Sequence, residues 1–144
     1  MIFASIFKSF ARKGFKTNKF EQQQNLSMEV KDLVKSQVEF DRRHGWDWSD
    51  ASEEEKVEHL QYLAVALCGE IGEFANLVKK IARRFRSKGE LPSQAEWKEL
   101  KEELVDVFTY ILKGAGELFK IDLEKEYLEK MKTNEERFKE FEKA

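Results

Sequence analysis

Glu70 and Glu73 are the only charged residues in YLAVALCGEIGEFANLV, Tyr62 to Val78, within a chain of which 38% is charged. Acids are plentiful elsewhere, so two carboxylates stranded among Leu, Val, Ile and Phe need a reason. Their spacing places both on one side of a helix, about a turn apart. The same separation recurs at Glu55/Glu58, Glu96/Glu99, Glu99/Glu102 and Glu126/Glu129, where polar surroundings read as solvated faces. Context sets the first pair apart. A second apolar stretch, LVDVFTYIL from Leu104 to Leu112, carries Asp106 as its only charge, and Glu103 stands one turn before it. Each of the four acids directly precedes an apolar seam residue, namely Ile71, Phe74, Leu104 or Val107. If the two seams face each other, the four carboxylates converge.

Carboxylates gathered in a partly dry pocket repel, and burying an ionised group without a partner is costly. A cation is therefore expected among them. Oxygen ligands without Cys or His suit Mg²⁺, with Mn²⁺ as a substitute, or Ca²⁺, rather than zinc. A ferritin-like di-iron site wants Glu-x-x-His pairs, and neither His44 nor His59 stands three residues after a Glu. Mg²⁺ held by a few carboxylates usually binds phosphates at its open positions, which calls for further cationic groups. Lys130, Asn134 and Arg137 share one face of the last helical stretch, and Lys79 and Lys80 follow Glu73 by one to two turns. Each is equally readable as a surface residue, the basic end of the long helix complementing its dipole.

The elements that must position these groups are helical. A single proline, Pro92, and little strand alternation make the chain all-α. Val30, Leu33, Val34 and Val38 mark a first helix ending near His44 and Gly45, followed by the loop GWDWSDAS. Ser52 and Glu55 form a capping box that opens a long helix. Its apolar seam runs Val57, Leu60, Ala64, Leu67, Ile71, Phe74, Val78, Ile81, Phe85. Ser93 and Glu96 form a second box after Pro92, and the seam resumes at Trp97, Leu100, Leu104, Val107, Ile111 and Leu118. Gly114 and Gly116 read either as a close helix approach or as a stop near Lys120. Asp122 can cap a last helix that turns Leu123, Tyr127, Met131, Phe138 and Phe141 toward the core. The expectation is a four-helix-bundle protomer.

Composition narrows the function classes. A length of 144 residues suits one domain. A net charge of −2 with a pI near 5.9 removes the electrostatic case for binding a nucleic-acid polymer. No run of about 20 apolar residues exists to span a membrane. Cys68 is the single cysteine, which suggests a reducing, cytoplasmic setting and a space-filling role beside Leu67. Residues 1–27 form a basic amphipathic extension, read as docking on the protein's own apolar surface in preference to a transit-like leader or a membrane-surface helix. Residues 28–144 form the domain.

GEIGEFANL, EELVDVFTYIL and IDLEKEYLEKMKTNEERF together resemble the MazG-like all-α nucleotide pyrophosphohydrolases, particularly the subgroup that includes dCTP pyrophosphatase. The resemblance covers Leu60 to Phe138. It implies Mg²⁺-dependent hydrolysis of a (deoxy)nucleoside triphosphate between the α- and β-phosphates, a house-cleaning role, and a dimer or tetramer whose subunits share each pocket. Glu70, Glu73, Glu103 and Asp106 match the family's metal ligands. Tyr110 matches a tyrosine at the nucleotide, and Lys130, Asn134 and Arg137 match the segment that closes on substrate. Lys80 stands where the dCTP-specific members have a tryptophan, and Ile71 where several dimeric relatives have a water-activating glutamate. Base preference therefore stays open, and Glu70 is left as the residue to orient the water. Trp46 and Trp48 can stack on a base or anchor their loop, with His44 and Asp47 as further base-edge contacts and His59 packing near the start of the long helix. A helical interaction module and a phosphoribosyl-ATP pyrophosphohydrolase are the alternatives.

Overall fold

The computed structural model describes residues 28–142, so the expected docking of residues 1–27 lies outside the described residues. These residues form four α-helices and no strand. They are α1 (Val30–His44), α2 (Glu53–Lys88), α3 (Gln94–Lys113) and α4 (Leu123–Phe138). A π-helical segment, Gly114–Phe119, prolongs α3, and a 3-10 turn, Lys139–Phe141, follows α4.

Both expected capping boxes form. Ser52 Oγ accepts the Glu55 N–H at 3.2 Å while the Glu55 carboxylate accepts the Ser52 N–H at 2.8 Å, and Ser93 and Glu96 repeat the pattern. Each box satisfies two donors that the first turn leaves without intrahelical partners, a gain of about 1 kcal/mol. α1 and α2 end on Gly45 and Gly89 in the left-handed region, at φ 72° and 70°, where a side chain would be strained. Asp122 caps α4 through the Lys125 N–H. Between α2 and α3, the Arg84 guanidinium grips Glu96 with two bonds of 2.7 Å. Arg84 and the Ser93 backbone together pull the Glu96 carboxyl down to about 2.

The core is thin. Its buried apolar residues are Leu63, Leu77, Ile81, Leu112 and Ala115. Within one chain, this corrects the expected seam on α2. Of its nine residues only Ile81 is buried and only Leu67 and Phe74 are half-buried, whereas Val57 is 66% exposed and Ile71 52%. The stripe that meets α3 instead runs Leu63, Leu67, Glu70, Phe74, Leu77 and Ile81. Both stripes are apolar at helical spacing, so periodicity alone could not choose between them. α3 is one helix wide and covers a single stripe. Trp97, Leu104 and Ile111 on α3 are exposed for the same reason.

α4 departs further from expectation. Its main neighbour is α1, and Tyr127, Met131, Phe138 and Phe141 stay exposed, leaving Leu123 half-buried. Cys68 is exposed as well, and so fills no space beside Leu67.

Gly114 and Gly116 serve close approach, and the stop falls at Lys120 beyond them. A Cβ on Gly116 would lie 2.7 Å from Val34 Cγ1 and from Val38 Cγ2 on α1. One on Gly114 would lie 2.8 Å from Leu63 Cδ2 on α2. The π segment then closes on Lys120 at φ 50°.

Candidate functional site

α2 and α3 run side by side across the Gly89 turn, and their facing stripes bring acids from both helices into one gap. Carboxylate oxygens of Glu70, Glu103 and Asp106 all lie within 4.8 Å of one another. Glu73 stands outside that trio and is exposed, although its charge acts on both Glu70 and Asp106. Burial, then Asp106, Glu73 and Glu103, raise the Glu70 carboxyl above its usual range. Burial, then Glu102 and Glu73, raise Asp106 likewise. Glu70 and Glu103 are half-buried and Asp106 is exposed at the edge of the gap, and the raised carboxyls express partial desolvation and mutual repulsion. The donor set consists of oxygens alone and fits a hard divalent cation such as Mg²⁺ or Mn²⁺.

Aromatic side chains continue from this gap toward the α1–α2 loop. Tyr110, one turn after Asp106, is half-buried. Burial and the neighbouring Tyr62, Glu70, Asp106 and Asp41 push its phenol up to about 12, so near neutral pH it is an O–H donor. Tyr62 in turn meets Trp48 edge-on, with ring centroids 5.6 Å apart. His59 stacks on Trp48 at 4.7 Å and 7°. Trp48 is therefore already partnered as a loop anchor, and a base stacking on it would displace His59. Trp46 is 42% exposed and stacks on His44 at 5.0 Å. His44 Nδ1 lies 2.7 Å from the Phe40 carbonyl, and Asp47 accepts from the Ser49 N–H and hydroxyl and from Arg42. In this conformation both of those groups serve the loop itself.

The basic residues expected at the phosphates lie mostly at the surface. Lys79, Lys130 and Arg137 are exposed and Asn134 is half-buried. The Arg137 guanidinium lies 5.1 Å from the Phe138 ring centroid.

Sequence reasoning missed a buried polar cluster behind the tryptophan loop. Lys113 Nζ donates to Asp41 Oδ2 (3.0 Å), to Glu117 Oε2 (2.7 Å) and to the Trp46 carbonyl (2.7 Å). It also sits 3.9 Å from the Trp48 ring centroid. The Trp48 N–H donates to Glu117 Oε2 at 3.0 Å, and Gln37 donates to Asp41. Glu117 is fully buried, and its Oε1 has no hydrogen-bond partner while it is ionised. Burial and the Asp41 carboxylate beside it push Glu117 up to about 7, against the pull of Lys113 and the Trp48 N–H. A proton on Glu117 turns its contact with the Asp41 carboxylate from repulsion between like charges into a hydrogen bond. The available signal was Lys113 and Glu117 four apart in ILKGAGELF, a second charge pair inside an apolar run.

No family model matches the chain. It is 39% identical over 64 residues to the Gene 37 protein of Mycobacterium phage L5, covering 44% of this chain and 54% of that protein. The chain thus spans about half the length of this relative, whose name states no chemistry.

Proposed function

We propose that the chain is a Mg²⁺-dependent nucleoside triphosphate pyrophosphohydrolase of the MazG-like type, releasing a nucleoside monophosphate and pyrophosphate. One observation carries the reading: Glu70, Glu103 and Asp106 come together from two helices, although each sits in or beside one of the most apolar segments of a highly charged chain. Glu70 and Glu103 are half-buried rather than set on a solvated flank, and Asp106 closes the group from its exposed edge.

Glu70, Glu103 and Asp106 would hold the cation, with Glu73 at the rim. When bound, Mg²⁺ supplies Lewis-acid polarisation of the phosphoryl oxygens. Glu70, the half-buried acid with a raised carboxyl, orients the attacking water and accepts its proton. Tyr110 donates a hydrogen bond toward the nucleotide. The loop bearing Trp46 and Trp48 walls the base pocket through Tyr62. Lys79, Lys130, Asn134 and Arg137 complete the phosphate contacts in an assembly of two or four copies.

The apolar residues left exposed among the described residues support that assembly. Val57, Ile71, Val78 and Phe85 on α2 and Leu104 and Ile111 on α3 are each at least 40% exposed, more than a solitary domain usually displays along two adjacent helices. The same residues favour the second reading, a non-enzymatic module whose seam pairs with a different helical partner.

A pyrophosphate-release screen over the common and oxidised nucleoside triphosphates with Mg²⁺ separates the two. Monophosphate and pyrophosphate in equal amounts support the enzyme, and no turnover of any nucleotide supports the module.

A further inference from the structure

The cluster of Asp41, Lys113 and Glu117 lies behind the tryptophan loop rather than in the acidic gap, and the proposed chemistry does not use it. Its members come from α1, the last residue of α3 and the π segment. Their bonds converge on the loop backbone at Trp46 and Trp48. The π segment wraps more residues into each turn than an α-helix, and within it Glu117 is directed inward while remaining bonded to Lys113. Burying an ammonium and two carboxyls is expensive unless their geometry is closely satisfied. A buried apolar trio would fill the same space without that demand. An apolar trio, however, could not bind a carbonyl and an N–H two residues apart on one loop.

We propose that Lys113 is a positioning residue: with Asp41 and Glu117 it clamps the loop so that Trp48 stands against Tyr62 and the base pocket is formed before substrate arrives. A link from the cluster to the acidic gap is on hand. Lys113 is beside the Trp48 ring, Trp48 is edge-on to Tyr62, and Tyr62 acts electrostatically on Tyr110, which also feels Glu70 and Asp106. The clamp itself stands on geometry, and its effect on nucleotide affinity rests on the pyrophosphohydrolase reading. A preorganised pocket wall acts on binding more than on the chemical step. A loosened clamp therefore raises KM and leaves kcat nearly unchanged.

The test uses the full chain carrying Lys113→Met. Because that change leaves two carboxyls facing each other, a second variant pairs it with Asp41→Asn. Deuterium uptake across residues 45–51 is compared with uptake along α2, and KM and kcat are measured on the best nucleoside triphosphate with Mg²⁺. The expected result is loop exchange at least tenfold faster, α2 exchange unchanged, KM raised about tenfold and kcat within about threefold. Unchanged loop exchange overturns the proposal, as does a fall in kcat with KM constant. Loss of helical circular dichroism in both variants also overturns it, since the cluster would then hold only the fold. If the wild-type chain turns over no nucleotide, the enzymatic reading fails separately, and loop exchange, read without substrate, still decides whether Lys113 positions the loop.

Discussion

Glu70 on α2 and Asp106 on α3 bring carboxylate oxygens within 4.8 Å of each other, and the charge of Asp106 helps hold the Glu70 carboxyl above its usual range. Two like charges so placed destabilise the folded chain unless a proton or a cation intervenes. The site and its cost therefore come from the same pair.

Neutralising either acid separates function from fold. Glu70→Gln and Asp106→Asn should each lower turnover at least about 100-fold, roughly 2.7 kcal/mol of barrier. Glu73→Gln, at the rim, should lose less. A folded-state pKa raised above the unfolded value means that stability is lost as pH rises through it. Without metal at pH 8, Glu70→Gln should therefore melt above wild type, and the two melts should converge below pH 4.5. Calorimetric melts with and without Mg²⁺ check this.

Glu117 gives a second pH signature with the same sign. Its carboxyl moves from 4.5 to about 7 on folding, so the native chain holds more protons than the unfolded chain across that window. Stability tied to this proton is full below pH 4.5 and lost as pH passes 7. Glu117→Gln keeps a donor toward Asp41 and an acceptor for Lys113 and the Trp48 N–H, and it does not titrate. The difference in melting temperature between variant and wild type should grow in the variant's favour from pH 5 to pH 8. A constant difference would mean that Glu117 is ionised throughout.

Gly116 tests the approach of the π segment to α1. Alanine there gains up to about 1 kcal/mol of helix propensity. Its Cβ, however, would stand 2.7 Å from two stiff valine side chains, and overpacking of that kind costs roughly 1–3 kcal/mol. Net destabilisation of about 1–2 kcal/mol in urea unfolding is the expected outcome.

The exposed seam tests assembly. Light scattering should give wild type the mass of two or four chains, and Val78→Glu combined with Phe85→Glu should give the mass of one with helical content retained. A monomeric wild type would leave the seam for a different partner.

The sequence revealed the helices and several of their ends, because caps are local chemistry: Ser52 with Glu55, Ser93 with Glu96, and Gly45 each act within a few residues, whereas Gly89 emerged only from the backbone. It also revealed the meeting of Glu70, Glu103 and Asp106, since charge inside an apolar run is informative wherever the helices pack. It did not reveal which of two apolar stripes on α2 faces α3, because Leu60 and Leu63 are equally apolar and a tertiary neighbour decides. Nor did it place α4, whose Tyr127 and Met131 look like core residues but stay exposed among the described residues. The Lys113 cluster went unread because Asp41 lies far from it in sequence, and Glu117 acquires its burial from α1 and the loop.

The central claim is that acids from α2 and α3 share one divalent cation. Mn²⁺ titration followed by electron paramagnetic resonance, with a non-hydrolysable nucleoside triphosphate present, tests it most directly. Wild type should bind Mn²⁺, Glu70→Gln and Asp106→Asn should each weaken binding at least about tenfold, and Glu99→Gln, on an exposed face of α3, should leave it unchanged. Equal affinity in all four proteins would contradict the account.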